Sequence, residues 1–547
     1  MPFWWKRSAK KKADRQNTTE DTQKIDIGTN LPHEKMSTDL KKNIDHIKKI
    51  TGNSSDIVIH ELTLGKKTNI SAVIVYIDGL VDSPVINISL LKNIMDEKEI
   101  DDCWTNKHTF LNELQKRTIN IGSVNIIYNW DDLFHQLASG DTILLVDHVF
   151  GALNISTRGG DKRSIEEPAT EVTVRGPRDG FTESLRTNTT LIRRRIKSPN
   201  LWVESMKIGT VTQTDIALMY INGIANEEII DEARKRLKGI RIDSILESGY
   251  IEQLIEDRTF TTFPTLYHTE RPDVVAANLL EGRFAIVVDG TPFVLTAPAI
   301  FIEFFQSAED YYSRFDIATA IRFLRVLVFA ISLVGPAVYI AATTFHQEML
   351  PTSLIFTLTV QRELVPFPAF VEAVMMEICF EILREAGLRL PRPIGQTVSI
   401  VGALVIGQAA VQAGIVSPAM VIVVSITAIA SFATPSFAIA ISARLIRFLY
   451  MMLAAIFGFY GIIMGLIVMI LHLCSLRSFG VNYMTPFAPF RKNNLNDTVI
   501  RLPLWKLQKR PQDISKNNVV RQANDQRPLP PIGKHQFHKG KGDQNEN

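Results

Sequence analysis

Phe323-Leu-Arg-Val-Leu-Val-Phe-Ala-Ile-Ser-Leu-Val-Gly-Pro-Ala-Val-Tyr-Ile-Ala-Ala342 decides the fold. The stretch is apolar apart from Arg325 near its start. At a rise of about 1.5 Å per residue it is long enough to cross a hydrocarbon layer about 30 Å thick. Pro336 lies inside it and removes a backbone donor, so a kink is expected there. Further on, 397–415, 419–440 and 448–473 pass the same length test. Gly414-Ile-Val-Ser417-Pro418 leaves room for only a tight turn between two of them, with Ser417 as N-cap and Pro418 at the first helical position. Pro435, between Thr434 and Ser436, marks a second kink whose freed carbonyl the hydroxyls can reach. Gly402, Gly407, Ala454, Gly458, Gly461 and Gly465 mark close helix approach.

The segment 368–388 is apolar enough to enter a membrane, yet it carries Glu372, Glu377, Glu381, Arg384 and Glu385. At 100° per residue all but Glu372 fall on one side. Such a stripe is costly against lipid. Two readings fit: Glu372, Glu377 and Glu381 ring a cation path when several copies assemble, or the helix lies at the interface with its acids solvated. Gln408 and Gln412, one turn apart, need either partner helices or a wet pore lining. Arg322, Arg325, Arg384, Arg389, Arg392, Arg444 and Arg447 flank these segments and place their ends, the N-terminal part and the tail on the cytoplasmic side. That arrangement asks for an even number of crossings, whereas counting the acidic segment gives five. One segment is therefore expected to be re-entrant or the last to double back, with 368–388 and Ser478–Phe490 as candidates.

Outside this membrane domain, taken as 301–490, the chain of 547 residues is polar. Lysines and arginines crowd both ends, so 1–51 reads as a basic disordered arm, open to anionic lipid, and 491–547 as a basic disordered tail. The start, Met-Pro-Phe-Trp-Trp-Lys-Arg, runs on into lysines, so no secretory signal is expected. Between arm and membrane, Ser71-Ala-Val-Ile-Val-Tyr-Ile-Asp-Gly79 is echoed by Asp215-Ile-Ala-Leu-Met-Tyr-Ile-Asn-Gly223. Likewise Thr142–His148 is echoed by Phe284–Gly290. Buried strands in preserved order and spacing predict a duplicated soluble α/β module, one copy at 52–165 and the other at 200–300. A linker with a helical motif, 166–199, separates them. Its Arg193, Arg194 and Arg195 can hold a phosphate or carboxylate by forked hydrogen bonds, or form a face toward an acidic neighbour.

The net charge of +3 is small and demands no nucleic acid. Cys103, Cys379 and Cys474 stand far apart with no metal-ligand spacing, so neither a disulfide framework nor a metal site is indicated. No phosphate loop, nucleophile elbow or metal motif supports an enzyme, and no cofactor is expected. A secondary transporter usually carries its repeat in the membrane part, whereas here it lies in the soluble half.

Three stretches together resemble the A subunits of the GerA-type spore germinant receptors: Val174–Glu183 with Leu191–Ile196; Thr269–Gly282 with Val288–Phe293; and Pro366–Glu372 through Arg389-Leu-Pro-Arg-Pro-Ile-Gly395 to Ala430. The likeness covers about residues 60 to 490. The resemblance implies a subunit that works with B and C subunits in the spore inner membrane. It also implies assembly as a homo-oligomer forming a nutrient-gated cation channel that releases monovalent ions. A non-conducting scaffold subunit of the same complex is the alternative, and a small-molecule transporter a weaker one. Taken together, the expected architecture is an α-helical membrane bundle of about four to six segments preceded by two α/β modules.

Overall fold

The computed structural model describes residues 35–65, 68–82, 84–86, 110–117, 123–159, 167–168, 171, 173–389, 407–516, 518–523 and 526–528. Cys103, Gly402 and most of the expected span 397–415 lie outside them.

The first sheet contains β1 (Ile57–Leu64), β2 (Ile70–Ile77), β3 (Val124–Ile127), β4 (Thr142–Val146) and β5 (Ala152–Ile155), all paired antiparallel in the order β1-β2-β4-β5-β3. Its two central strands are apolar on both faces because both faces are covered. Val73, Val75, Ile143 and Leu145 pack under helices α1 (Leu40–Thr51) and α3 (Trp130–Ala138), and Ala72, Ile74, Leu144 and Val146 pack under α2 (Phe110–Arg117). The expected disordered arm is corrected here: α1 is an ordered helix. Leu40, Ile44 and Ile47 make its buried stripe, the Asp39 side chain caps its start, and Gly52 ends it with φ 61°. The surrounding lysines hid that stripe, since composition averages over faces while burial selects one. Residues 1–34 lie outside the described part.

The second sheet, β6 (Leu201–Ile208), β7 (Thr214–Ile221), β8 (Tyr267–Thr269), β9 (Phe284–Val288) and β10 (Val294–Ala297), has the order β6-β7-β9-β10-β8. Strand for strand this is the order of the first sheet. One face is covered by α4 (Leu185–Arg195) and α7 (Pro272–Leu280). The other is covered by α5 (Glu227–Gly239) and α6 (Ser248–Ile255). The echoed segments of the sequence are β2 and β7, and β4 and β9. Arg193, on α4, is buried between the sheets and holds Asp56 by two bonds, Nε to Oδ2 at 2.7 Å and Nη2 to Oδ1 at 2.9 Å, with Nη2 also on Ser54 Oγ. Ser55 N donates to the Val203 carbonyl and Trp202 Nε1 to the Ile50 carbonyl, closing the joint.

The helical region contains α8 (Phe315–Thr344), α9 (Thr352–Glu363), α10 (Ala369–Arg389), a short helical stretch at 407–412, α11 (Pro418–Phe432) and α12 (Phe437–Ser475). Of the described helices, α8 and α12 are long and apolar enough to cross a membrane. The expected span 323–342 falls within α8, which runs through Pro336 to Thr344. The expected span 419–440 is corrected. Its helix stops at Phe432, Thr434-Pro435 lies between helices, and α12 opens at Phe437, so Pro435 separates two helices instead of kinking one.

The expected span 448–473 is corrected as well. Gly458, at φ 59° and ψ −141°, interrupts α12. Tyr450 Oη lies 3.6 Å from Met469 Sδ, whereas nineteen residues of continuous helix would separate them by about 28 Å. The two limbs, 437–457 and 459–475, therefore run antiparallel. Gly465 leaves no room for a side chain against the Tyr450 ring, where a Cβ would come within 2.8 Å. The limbs' outer ends return to module two, Ser442 Oγ donating to the Thr262 carbonyl and Arg258 Nη1 to Ser475 Oγ. The chain thus doubles back inside a stretch read as one span.

Ser478–Phe490, a candidate for that role, instead docks on module two. Ser478 Oγ donates to the Thr265 carbonyl at 2.6 Å and Tyr483 Oη to the Pro264 carbonyl at 2.7 Å. The expected disordered tail is corrected over 491–516 and 518–523: Ser515 Oγ donates to the Ile224 carbonyl and Arg510 Nε to the Leu280 carbonyl, with both residues buried. Residues 529–547 lie outside the described part.

Candidate functional site

Among the helices, α10 carries a row of acids that meets groups of α9, α11 and α12. Glu372, near its start, is fully buried. Its Oε2 accepts from Ser417 N at 2.9 Å and Ser417 Oγ at 2.8 Å, at the start of α11, where the helix dipole favours an anion. Arg362, at the end of α9, brings Nε to 3.6 Å from the same carboxylate. Glu377, five residues on, is buried and accepts from Arg447 Nη1 at 2.6 Å. Glu381 accepts from Arg444 Nη1 at 3.1 Å and Arg384 Nη1 at 3.3 Å. The four-residue step on α10 meets a three-residue step back along the first limb of α12, the register of antiparallel neighbours. Glu385 pairs with Arg389 at the exposed end.

This ladder has a price in desolvation, and each acid meets it with an arginine from the same chain. The carboxylates' place on α10 is legible in the sequence, where Arg444 and Arg447 mark topology and not partnership. Their spacing of three against the four of Glu377 and Glu381 was the available signal. Gln408 and Gln412 are exposed and make no hydrogen bond among the described residues.

A second network clamps the start of α8. Asp310, buried, accepts from Arg322 Nε at 2.8 Å and Arg325 Nη1 at 2.9 Å. Arg322 Nη1 reaches Asp497 Oδ1 and the Thr498 carbonyl, both at 2.8 Å, and Tyr311 Oη donates to Asp497 Oδ2. The segment after the helices is thereby tied to the segment before them. Burial drives the Tyr311 phenol well above its ordinary range. In the linker, the three expected arginines take separate partners: Arg193 meets Asp56, Arg194 Nη2 the Gly159 carbonyl, and Arg195 Nη2 both oxygens of Asp179 at 2.6 Å. No group of His, Cys, Asp and Glu among the described residues forms a metal cluster.

The family model described as Bacillus/Clostridium GerA spore germination protein matches residues 45–513. The chain belongs to this family. Spore germination protein KA of Bacillus subtilis (strain 168) is 60% identical over 512 residues, 93% of each chain. Spore germination protein GerLA of Bacillus cereus is 40% identical over 471 residues, covering 86% of this chain and 94% of that one. The crystal structure of the N-terminal domain of the A subunit of the Bacillus megaterium spore germinant receptor GerK3 is 48% identical, covers 49% of this chain and 98% of its own, and superposes with a TM-score of 0.40. The GerA match includes α1 from Asp45 and the C-terminal segment to Asp513, both of which composition had assigned to disordered ends.

Proposed function

We propose that this GerA-family chain is the A subunit of a nutrient germinant receptor, working with B and C subunits in the spore inner membrane. Several copies assemble there into a nutrient-gated channel for monovalent cations. The observation that carries the reading is the match to spore germination proteins over residues 45–513. The geometry supports a homo-oligomer, because Gln408 and Gln412 stand exposed on an apolar helical surface, where a polar side chain needs water or another subunit. In this reading Gln408, Gln412 and the partly exposed Glu381 border the ion path. Glu372 and Glu377 hold the helices that shape it. With the hairpin of α12 and the expected span 397–415, six crossings leave both ends on the cytoplasmic face. The common strand order of the two sheets supports their reading as copies of one module.

A non-conducting scaffold is the second reading, favoured by the pairing of Glu372 and Glu377 within one chain. Potassium efflux from liposomes carrying this chain, with and without its B and C partners and candidate nutrients, separates the two. Nutrient-dependent efflux that drops when Gln408→Leu and Gln412→Leu are combined supports the channel. Absence of efflux from verified, inserted complexes supports the scaffold.

A further inference from the structure

Where module two meets the helical region, a cavity of about 410 Å³ lies between the segment 306–309, the end of α11 and the start of α12. Its lining includes four arginines, Arg271, Arg325, Arg384 and Arg444, against two acids, Glu171 and Glu309. Burial pushes the Glu171 carboxyl up to about 7, which thins the negative charge near neutral pH. Glu309 is engaged by the backbone N–H of Val174.

The arginines are partly spent. Arg271 is turned to Asp273. Arg325 uses Nη1 on Asp310, and Arg384 and Arg444 use Nη1 on Glu381, with Arg384 Nη2 on Ser431 Oγ. Nη2 of Arg325 and of Arg444 keeps its N–H groups free of any partner among the described residues. Thr434 supplies a second, independent sign. Its side chain lines the cavity and is only 7% exposed, yet its hydroxyl has no partner among the described residues. A buried hydroxyl beside unspent guanidinium donors is a recess built for an oxyanion.

The rim decides which oxyanion. Phe432 and Phe437 line the cavity's edge at 71% and 56% exposure, on helices whose remaining outer surface is apolar. An oxyanion carried on a hydrocarbon body meets both features, and basic pockets between membrane helices on the cytoplasmic side suit anionic headgroups. We propose that this cavity binds the phosphodiester headgroup of an anionic phospholipid, with Arg325, Arg444 and Thr434 on the phosphate oxygens and Phe432 and Phe437 against the glycerol and upper acyl chains. A free phosphate ion shares the headgroup's chemistry but not its apolar part. The inference rests on the helical region lying in a membrane and not on ion conduction, so the two can fail separately.

The test is equilibrium binding to the full chain in neutral detergent, followed by microscale thermophoresis. The probes are dioleoylphosphatidylglycerol, dioleoylphosphatidylcholine and inorganic phosphate. The expected result is saturable binding of the phosphatidylglycerol at least about tenfold tighter than the phosphatidylcholine. Arg444→Gln combined with Thr434→Val removes one charge and the buried hydroxyl and should weaken it by about tenfold or more. Ala433→Trp fills the cavity and touches no ion pair. It should abolish the preference at an unchanged thermal midpoint, and it decides the matter if the arginine variant fails to fold. Equal binding of the two lipids, wild-type affinity in Ala433→Trp, or displacement of the lipid by phosphate at the lipid's own concentrations would each overturn the proposal.

Discussion

Arg447 donates Nε–H to the Ser332 carbonyl at 2.6 Å, and Ser332 stands four residues before Pro336 in α8. Proline has no N–H to give that carbonyl, so the arginine of another helix replaces the missing bond while its Nη1 holds Glu377. One guanidinium thus joins α8, α10 and α12. Arg447→Met strips Glu377 of its counter-ion in a buried setting and should cost about 3–5 kcal/mol. Combining it with Glu377→Met should recover most of that loss, because a well-packed apolar pair needs no desolvation. Arg447→Lys keeps a charge for Glu377 but cannot serve both partners, and should lose about 1–3 kcal/mol. Detergent-solubilised thermal unfolding of the four chains reads this order. A Met variant as stable as wild type would show that the pair does not form.

The joint between the two modules rests on Arg193, 2% exposed, and Asp56, at 12%. Arg193→Ala removes both forked bonds and leaves Asp56 without its counter-ion, with only the Ser54 hydroxyl still donating to it, at a cost of about 3 kcal/mol or more. Ser55, Trp202 and the rest of the joint remain, so the expected outcome is loosening and not unfolding of either sheet. Limited proteolysis near residues 52–56 should speed up, and hydrogen exchange of β1 and β6 at the joint should rise. Unchanged protection there would assign the rigidity to Trp202 instead.

Two carboxyls outside the helical region set a pH dependence. Glu252 is pushed up to about 7 by burial first, then by Glu256 and Glu247. Glu171 reaches about 7 by burial against the relief from Thr269 and Arg271. His268, 4.0 Å from Glu252, is itself lowered by burial, against the pull of Glu247 and Glu270. Each acid's folded value lies above its unfolded one, so its contribution is full below the unfolded value and is lost as pH rises through about 7. The thermal midpoint of the full chain should therefore fall between about pH 5 and about pH 8, and Glu252→Gln should flatten part of that fall. An identical profile in the variant would remove Glu252 as a source.

What the sequence made legible followed from runs longer than chance. The apolar length of α8, the central strands β2, β4, β7 and β9, and the glutamates of α10 were all visible, because each is a local property. Three features were not. Helix α1 was lost because its stripe of Leu40, Ile44 and Ile47 is diluted by lysines on the solvent face. The C-terminal segment was lost because it makes no core of its own and is ordered by docking, Arg501 and Arg510 donating to carbonyls of 313 and 280. Arg444 and Arg447 were seen as flanking charges, since a contact across helices is set by packing and not by neighbours in sequence.

The reversal at Gly458 has the sharpest consequence. Its φ of 59° with ψ −141° is a conformation in which a Cβ is strained, and a Cβ there would also lie 2.8 Å from the His346 ring and 3.0 Å from Phe345 Cβ. The tip of the hairpin therefore sits against the far end of α8. Gly458→Ala should cost about 2–4 kcal/mol, more than an ordinary helical glycine substitution, since strain and overlap add. The geometry itself can be read by cross-linking. With Cys103, Cys379 and Cys474 replaced by serine, Tyr450→Cys and Met469→Cys should be bridged within one chain by a short bismaleimide. A continuous helix holds those positions about 28 Å apart, beyond its reach. Efficient intrachain bridging that Gly458→Ala diminishes would place both limbs on one side of a turn at Gly458, and no bridging in the folded protein would return α12 to a single straight span.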